Sequence, residues 1–287
     1  MKPIVKYQGG KTRELPLIKT LLPQNYDTVL EPFAGGAAVS FALGHRCILN
    51  DMNDALINMY QQVSHPTTFH EVFSHVNWLK TLEHDDLSVE YYKARDYING
   101  GSRDPYTWAI SYITVRQLCF SGMERYNKAG KFNVPYGHYK KFSCNLDWNH
   151  MKFLHQSGSS IFHGDFERIF DMAGKNDFIF IDPPYLDRLG YAHGNDTLHE
   201  RLVSCMKKSK AKWMFIHSDN DFYRDALSEY HIFYKKFGYA QRFGKNKNHD
   251  AAQVSHMYVT NYEDSMTLHR VNNASLQTLL EPDTIEA

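Results

Sequence analysis

"DTVLEPFAGGAAVSFALGHRCILNDMND", residues 27–54, decides how the chain is read. It opens on an apolar run, breaks at Pro32, passes Gly35 and Gly36, continues in helix formers, and returns to an apolar run ending in Asp51 and Asp54. Strand, glycine turn, helix, strand, acid is the opening of a doubly wound α/β sheet. Glycines at a helix N-terminus let a ligand approach the main chain closely. An acid ending the second strand, here Asp51, can accept hydrogen bonds from both hydroxyls of a ribose. A nicotinamide dinucleotide and S-adenosylmethionine (SAM) satisfy this pattern equally.

The same rhythm returns late in the chain. Segments 177–182, 212–219, 231–237 and 256–262 read as buried or half-buried strands, with helical stretches between some of them. Residues from about 56 to 155 differ: they are rich in aromatic and charged side chains and read mostly as helix and loop. The expected architecture is one sheet domain, 1–55 and 156–263, interrupted by an inserted module, 56–155. Residues 264–287 read as a C-terminal extension with one short helix.

Composition narrows the class. Of 287 residues, 43% are hydrophobic, enough for a sizeable core. Lys+Arg and Asp+Glu number 32 each, so the chain does not coat nucleic acid indiscriminately, although a local basic patch can still dock on phosphates. The four cysteines are isolated, and the 16 histidines show no metal-ligand spacing. The N-terminus lacks the apolar core of a signal peptide, and no run approaches a membrane span. A soluble cytoplasmic protein without a metal is expected.

"FIFIDPPYLD", residues 178–187, carries the chemistry. Pro184 has no N–H, fixes its own φ and holds Pro183 extended, which leaves the Pro183 carbonyl free to accept a hydrogen bond. Asp182 is a second acceptor and Tyr185 a flat face. Two acceptors and a stacking face suit an exocyclic amine on a planar base. Such an amine is a poor nucleophile, because its lone pair is delocalised into the ring. Hydrogen bonds from both N–H groups would favour a tetrahedral nitrogen and stabilise its developing positive charge during in-line attack on a methyl sulfonium. The base must leave the duplex to reach such a pocket.

With these motifs the sequence resembles the SAM-dependent DNA adenine-N6 methyltransferases of the Dam/DpnM type over nearly all of residues 1–263. "KYQGGK" (6–11), "EPFAGG" (31–36), "NDMND" (50–54), "GDF" (164–166) and "DPPY" (182–185) match that family's elements in its α arrangement. The resemblance implies a Rossmann-like methyltransferase sheet with an inserted, mostly helical target-recognition domain carrying a β-hairpin. It also implies cofactor contacts from Tyr7, Lys11, Phe33, Asp51, Phe166 and Asp182, with Ala34, Gly35 and Asp165 beside them. Asp182, Pro183, Pro184 and Tyr185 take the catalytic positions. Ala37 departs from the pattern, standing where many members have a glycine.

"FSGMERYNKAGKFNVPYGHYKKF", residues 120–142, resembles the DNA-reading hairpin of these enzymes. It sets Arg125, Lys128, Lys131, Lys140 and Lys141 against a single acid, Glu124, and interleaves them with Phe120, Tyr126, Phe132, Tyr136, Tyr139 and Phe142. Basic side chains neutralise phosphates, and rings stack where a base has left. By resemblance, Lys6 and Arg125 contact bases, Phe120 fills the space opened by flipping, and Met123, Pro135 and Tyr139 line the target. Ser121, Asn127 and His138 belong to the same contact set. His138 replaces a common arginine, and Ser121 and Met123 replace other usual residues. GATC in double-stranded DNA is the expected target, methylated by a monomer, with room for more than one copy on the DNA.

Other classes compete. A dinucleotide oxidoreductase shares the glycine turn but gives no reason for D-P-P-Y or the basic hairpin. RNA or protein methyltransferases share the SAM fold, and protein-glutamine enzymes usually carry Asn in place of Asp182. Cytosine-N4 methylation poses the same chemical problem, although Ser is commoner there. A DNA-binding module without activity would not need Asp182, Tyr185, Lys11 and Asp51 together. The biological role, whether restriction-modification, replication control or marking of a viral genome, stays open at this level.

Overall fold

The structure, a computed structural model, describes residues 1–156, 159–186, 196–239 and 252–263. Among these are seven strands and ten α-helices, so the fold is α/β. The extension 264–287, with its expected helix, lies outside the described residues. The chain divides into two compact units, Met1–Arg13 with Phe33–Phe166, and Glu14–Pro32 with Glu167–Ala287.

Among its described residues the second unit contains five strands: β1 (Val29–Glu31), β4 (Phe178–Ile181), β5 (Lys212–Ser218), β6 (His231–Tyr239) and β7 (Ala252–Thr260). β4 lies parallel to β1 and to β5, with Val29 opposite Phe178 and Phe180 opposite Met214. All four residues of β4 are buried. An unbroken apolar run is the signature of a parallel strand covered on both faces. β7 then runs antiparallel to β5 and to β6, and lies between them.

The first unit holds a parallel pair, β2 (Cys47–Asp51) and β3 (Ser160–His163), with Asp51 opposite His163. Most of its other described residues are helical or belong to the hairpin. Helix Pro105–Leu118 packs against both Asp54–Ser64 and His84–Asn99. Starts are marked chemically: Pro66 and Pro105 occupy first-turn positions, while Asn53 accepts from the Leu56 N–H at 3.0 Å and Asp104 from the Thr107 N–H at 2.9 Å. Apolar side chains at helical spacing, among them Phe69, Val72, Val76 and Leu79, form its core.

The expected hairpin is present without continuous strands. Its arms meet at two isolated bridges, Cys119 with Tyr136 and Tyr126 with Phe132. A single 3-10 turn at Phe120–Gly122, with Ser121 at φ +54, interrupts the first arm. The second arm is tied to helix His84–Asn99. There Asn99 accepts from the Phe132 N–H at 2.8 Å and donates to its carbonyl at 3.0 Å, and the Tyr91 hydroxyl donates to the Val134 carbonyl at 2.7 Å.

Candidate active site

The glycine turn after β1 is shaped by what lies on it. Gly35 has φ +47, and a Cβ there would stand 2.9 Å from Cε1 of Tyr7, so only glycine fits beneath that ring. The Tyr60 hydroxyl donates to the Gly35 carbonyl at 2.8 Å and fixes the turn from helix Asp54–Ser64. Ala37, the departure from the glycine pattern, takes the left-handed conformation at φ +49 despite its side chain.

Asp51 ends β2 against this turn. Its Oδ2 accepts from the Gly35 N–H at 2.9 Å, and its Oδ1 accepts from the Asn53 N–H at 2.9 Å. The Met52 N–H bonds the same carboxylate, which with about four acceptor sites keeps room for a further donor. Burial raises the carboxyl above its ordinary pKa, by more than the hydrogen bonds from Asn53 and Gly35 lower it. The "GDF" turn is bound to the same strand end: Gly164 donates its N–H to the Asp51 carbonyl at 3.2 Å, and Asn50 donates to the Gly164 carbonyl at 2.9 Å. This leaves Asp165 exposed and buries Phe166, whose ring stacks on Phe33 at 5.2 Å. Lys11 is buried, with Nζ donating to the Gly9 carbonyl at 2.8 Å. A cavity of about 360 Å³ opens beside Tyr7, Lys6, Gly36, Gln117, Ser143 and Asn145.

On the hairpin side, Lys6 Nζ lies 3.8 Å from the Tyr139 ring centroid and donates to the Gln117 carbonyl at 2.8 Å. Arg125, Phe120, Ser121, Asn127, Pro135 and His138 are exposed. The Arg125 guanidinium folds along its own hairpin, with Nε 2.8 Å from Asn133 Oδ1. Asn127 closes the tip, its Oδ1 accepting from the Ala129 and Lys131 N–H groups at 2.9 and 3.0 Å. His138 has φ +54 and stacks near His84, ring centroids 6.1 Å apart.

Sequence reading missed the residue that joins these parts. Arg116, on helix Pro105–Leu118, is only 1% exposed. It donates to the Lys6 carbonyl at 2.9 Å, the Gly122 carbonyl at 3.2 Å and the Met123 carbonyl at 3.2 Å. Its Nη1 lies 3.4 Å from Glu124 Oε2, and Glu124 Oε1 accepts from the Asn53 side chain at 3.2 Å. The N-terminal element, the hairpin entrance and the end of β2 are thus held by one buried cation and one acid. A cation inside an apolar helical run was the available signal.

In the second unit, Asp182–Tyr185 follow β4 directly, Pro183 buried and the others half-buried. Tyr185 packs on His217, centroids 4.6 Å apart, and edge-on to His256 at 5.5 Å. Among the described residues, no group of His, Cys, Asp or Glu is placed to hold a metal, and no helix is long and apolar enough to cross a membrane.

Parallel strands, a glycine turn beneath Tyr7 and an acid ending β2 define a Rossmann-like methyltransferase fold. Residues 7–241 match the family described as D12 class N6 adenine-specific DNA methyltransferase. The chain belongs to that family, and is an adenine-specific DNA methyltransferase. It is 32% identical to the type II methyltransferase M.CviBI of Paramecium bursaria Chlorella virus NC1A, across 91% of this chain and 100% of that one. It is 30% identical to the DNA adenine methylase of Haemophilus influenzae, across 74% and 76%. It is also 37% identical to the DNA N-6-adenine-methyltransferase of Escherichia phage P1, across 64% of this chain and 24% of that one.

Proposed function

We propose that the chain transfers the methyl group of SAM to the N6 amine of an adenine turned out of duplex DNA, with GATC the favoured site. One observation carries the cofactor half: within a single unit, the Phe33–Phe166 ring pair accompanies a carboxylate held by the glycine turn. A ring pair suits the adenine moiety, and the remaining acceptor capacity of Asp51 suits a ribose hydroxyl. The residues therefore fit the group. Tyr7, Lys11, Phe33, Ala34, Gly35, Asp51, Asp165, Phe166 and Asp182 would hold it. When bound, SAM supplies an electrophilic methyl on a sulfonium.

The chain's own part is to hold and polarise the amine. Asp182 and the Pro183 carbonyl accept its two N–H groups, Pro184 keeps that carbonyl outward, and Tyr185 supports the base. Residues 56–155 serve as the recognition module. In it Arg125, with Lys6 from the N-terminal element, reads base edges, and Phe120 fills the vacated space. Met123, Pro135 and Tyr139 line the target, flanked by Ser121, Asn127 and His138. The likeness to M.CviBI, a type II methyltransferase, supports a place in a type II restriction-modification pair.

Two outcomes test this reading. DNA treated with the protein and SAM should resist GATC-cutting enzymes that are blocked by adenine methylation. GATC sites that stay cleavable while adenine methylation is evident would rule that target out. The second outcome concerns Asp51. Its raised pKa means that it protonates at a higher pH than an ordinary carboxylate near ~3.9. The sign follows: ionising Asp51 costs stability as pH rises from the ordinary carboxylate value through its raised folded value, so its charge serves the ligand rather than the fold. SAM affinity should therefore fall as pH drops through that raised value, approaching about one log unit per pH unit, and Asp51→Asn should flatten the slope. Calorimetric titration across pH reads both; a flat wild-type profile speaks against Asp51 as the ribose acceptor.

A further inference from the structure

The D-P-P-Y turn poses a tethering problem. Two consecutive prolines remove two backbone donors, so few N–H groups remain to anchor it. One of them, the Leu186 N–H, donates to Nε2 of His217 at 3.2 Å. His217 lies on β5 and is fully buried. Its Nδ1 is 2.8 Å from the Ser218 carbonyl, an atom that can only accept. Asn220, whose Oδ1 caps the next helix through the Tyr223 N–H, sends an amide hydrogen to the same carbonyl at 3.0 Å. Nδ1 also has the Asn220 amide nitrogen at 3.0 Å and the Ser218 hydroxyl at 3.2 Å beside it, so the ring's state follows from its other end. A backbone N–H at Nε2 needs a lone pair there, which leaves the proton of a neutral ring on Nδ1, toward the Ser218 carbonyl.

The same imidazole packs against Tyr185, tilted and 4.6 Å away, and lies parallel to Phe215 at 5.9 Å. His256 closes on the edge of Tyr185, and its Nδ1 stands 3.1 Å from Oε2 of Glu14, which also accepts from the Tyr258 hydroxyl. His217 is thus bonded to the turn's backbone and packed against its aromatic side chain.

We propose that His217 is a positioning residue for methyl transfer: as a neutral imidazole it holds, through the Leu186 N–H and the Tyr185 ring, the turn that presents Asp182 and the Pro183 carbonyl to the amine. This rests on the D-P-P-Y reading given above. Protonation would set an Nε2–H against the Leu186 N–H and release the turn. The titratable groups packed around it are Tyr185 on the turn, His199 and Tyr223 on the flanking helices, and His256 with Glu14 on the β7 side. Acid should therefore slow the transfer step itself at saturating SAM, whereas Asp51 acts on cofactor affinity.

The test is single-turnover transfer from saturating labelled SAM to duplex DNA across pH, with the full chain carrying His217→Phe or His217→Gln. Phenylalanine fills the space but cannot accept, and should slow transfer about 10²-fold, the scale of a misplaced reacting group, with SAM affinity within about threefold of wild type. Glutamine can offer a carbonyl to the same N–H, and should stay within about tenfold while losing the acid-side fall. A phenylalanine variant within about threefold of wild type, or a glutamine variant with the wild-type acid limb, overturns the proposal. If the phenylalanine variant does not fold, the glutamine profile decides alone. If the wild type transfers nothing, the function reading fails instead, and nitrogen-15 NMR judges the tether: an Nδ1–H imidazole with a protected Leu186 amide supports it, an Nε2–H or charged ring overturns it.

Discussion

Asp182→Ala is expected to lower methyl transfer by about 10³-fold or more while leaving the fold and most of the cofactor affinity in place. The size follows from the chemistry of the amine. Its lone pair belongs to the ring, and a nitrogen that attacks must leave the ring plane and take on positive charge. A carboxylate stabilises that charge more in the transition state than in the ground state, so the loss belongs in the rate and not in binding. The half-buried position of Asp182 beside two prolines limits replacement by water. Asp182→Asn, which keeps one acceptor oxygen and loses the charge, should fall between. Rapid-quench assays at saturating SAM and DNA measure both. An alanine variant within about tenfold of wild type would remove Asp182 from the chemistry.

Arg116→Ala should give the largest stability loss of any single polar substitution in the first unit, about 3–5 kcal/mol. Its guanidinium serves the carbonyls of Lys6, Gly122 and Met123 and faces Glu124. Truncation leaves these carbonyls short of a donor and removes the charge that accompanies Glu124. Arg116→Lys should recover only part, because a single ammonium cannot span three carbonyls and a carboxylate as a planar fork does. Chemical denaturation would read the difference. The consequence reaches function too, since Lys6 and the hairpin entrance are the groups Arg116 joins, so DNA affinity should weaken more than SAM affinity. A loss below about 1 kcal/mol would contradict this account.

What could be seen from the sequence was what local chemistry decides. β4 was legible because four apolar residues run into a proline-locked acid, and the Gly35–Gly36 turn because it stands between an apolar run and helix formers, whereas the Tyr7 ring over Gly35 is a contact only the fold brings about. β3 was not, because "SIFH" is short, half-exposed and lacks the alternation or apolar length that marks a strand. The hairpin was legible as a basic, aromatic segment, yet its irregular pairing reflects the left-handed positions at Ser121, Gly122 and His138. Arg116, Glu124 and His217 were hidden for a common reason: their partners are backbone groups or side chains brought close only by the fold. His217 and His256 carry no spacing that sets them apart from the chain's other histidines.

The central claim, that SAM-dependent methylation of adenine in DNA is carried out by the D-P-P-Y turn, is tested most directly by nucleoside mass spectrometry. Unmethylated duplex DNA would be treated with SAM and either the intact protein or its Asp182→Ala variant, then digested. The account predicts N6-methyladenine from the intact protein and almost none from the variant. N4-methylcytosine, or no methylated base under conditions where SAM is bound, would contradict it.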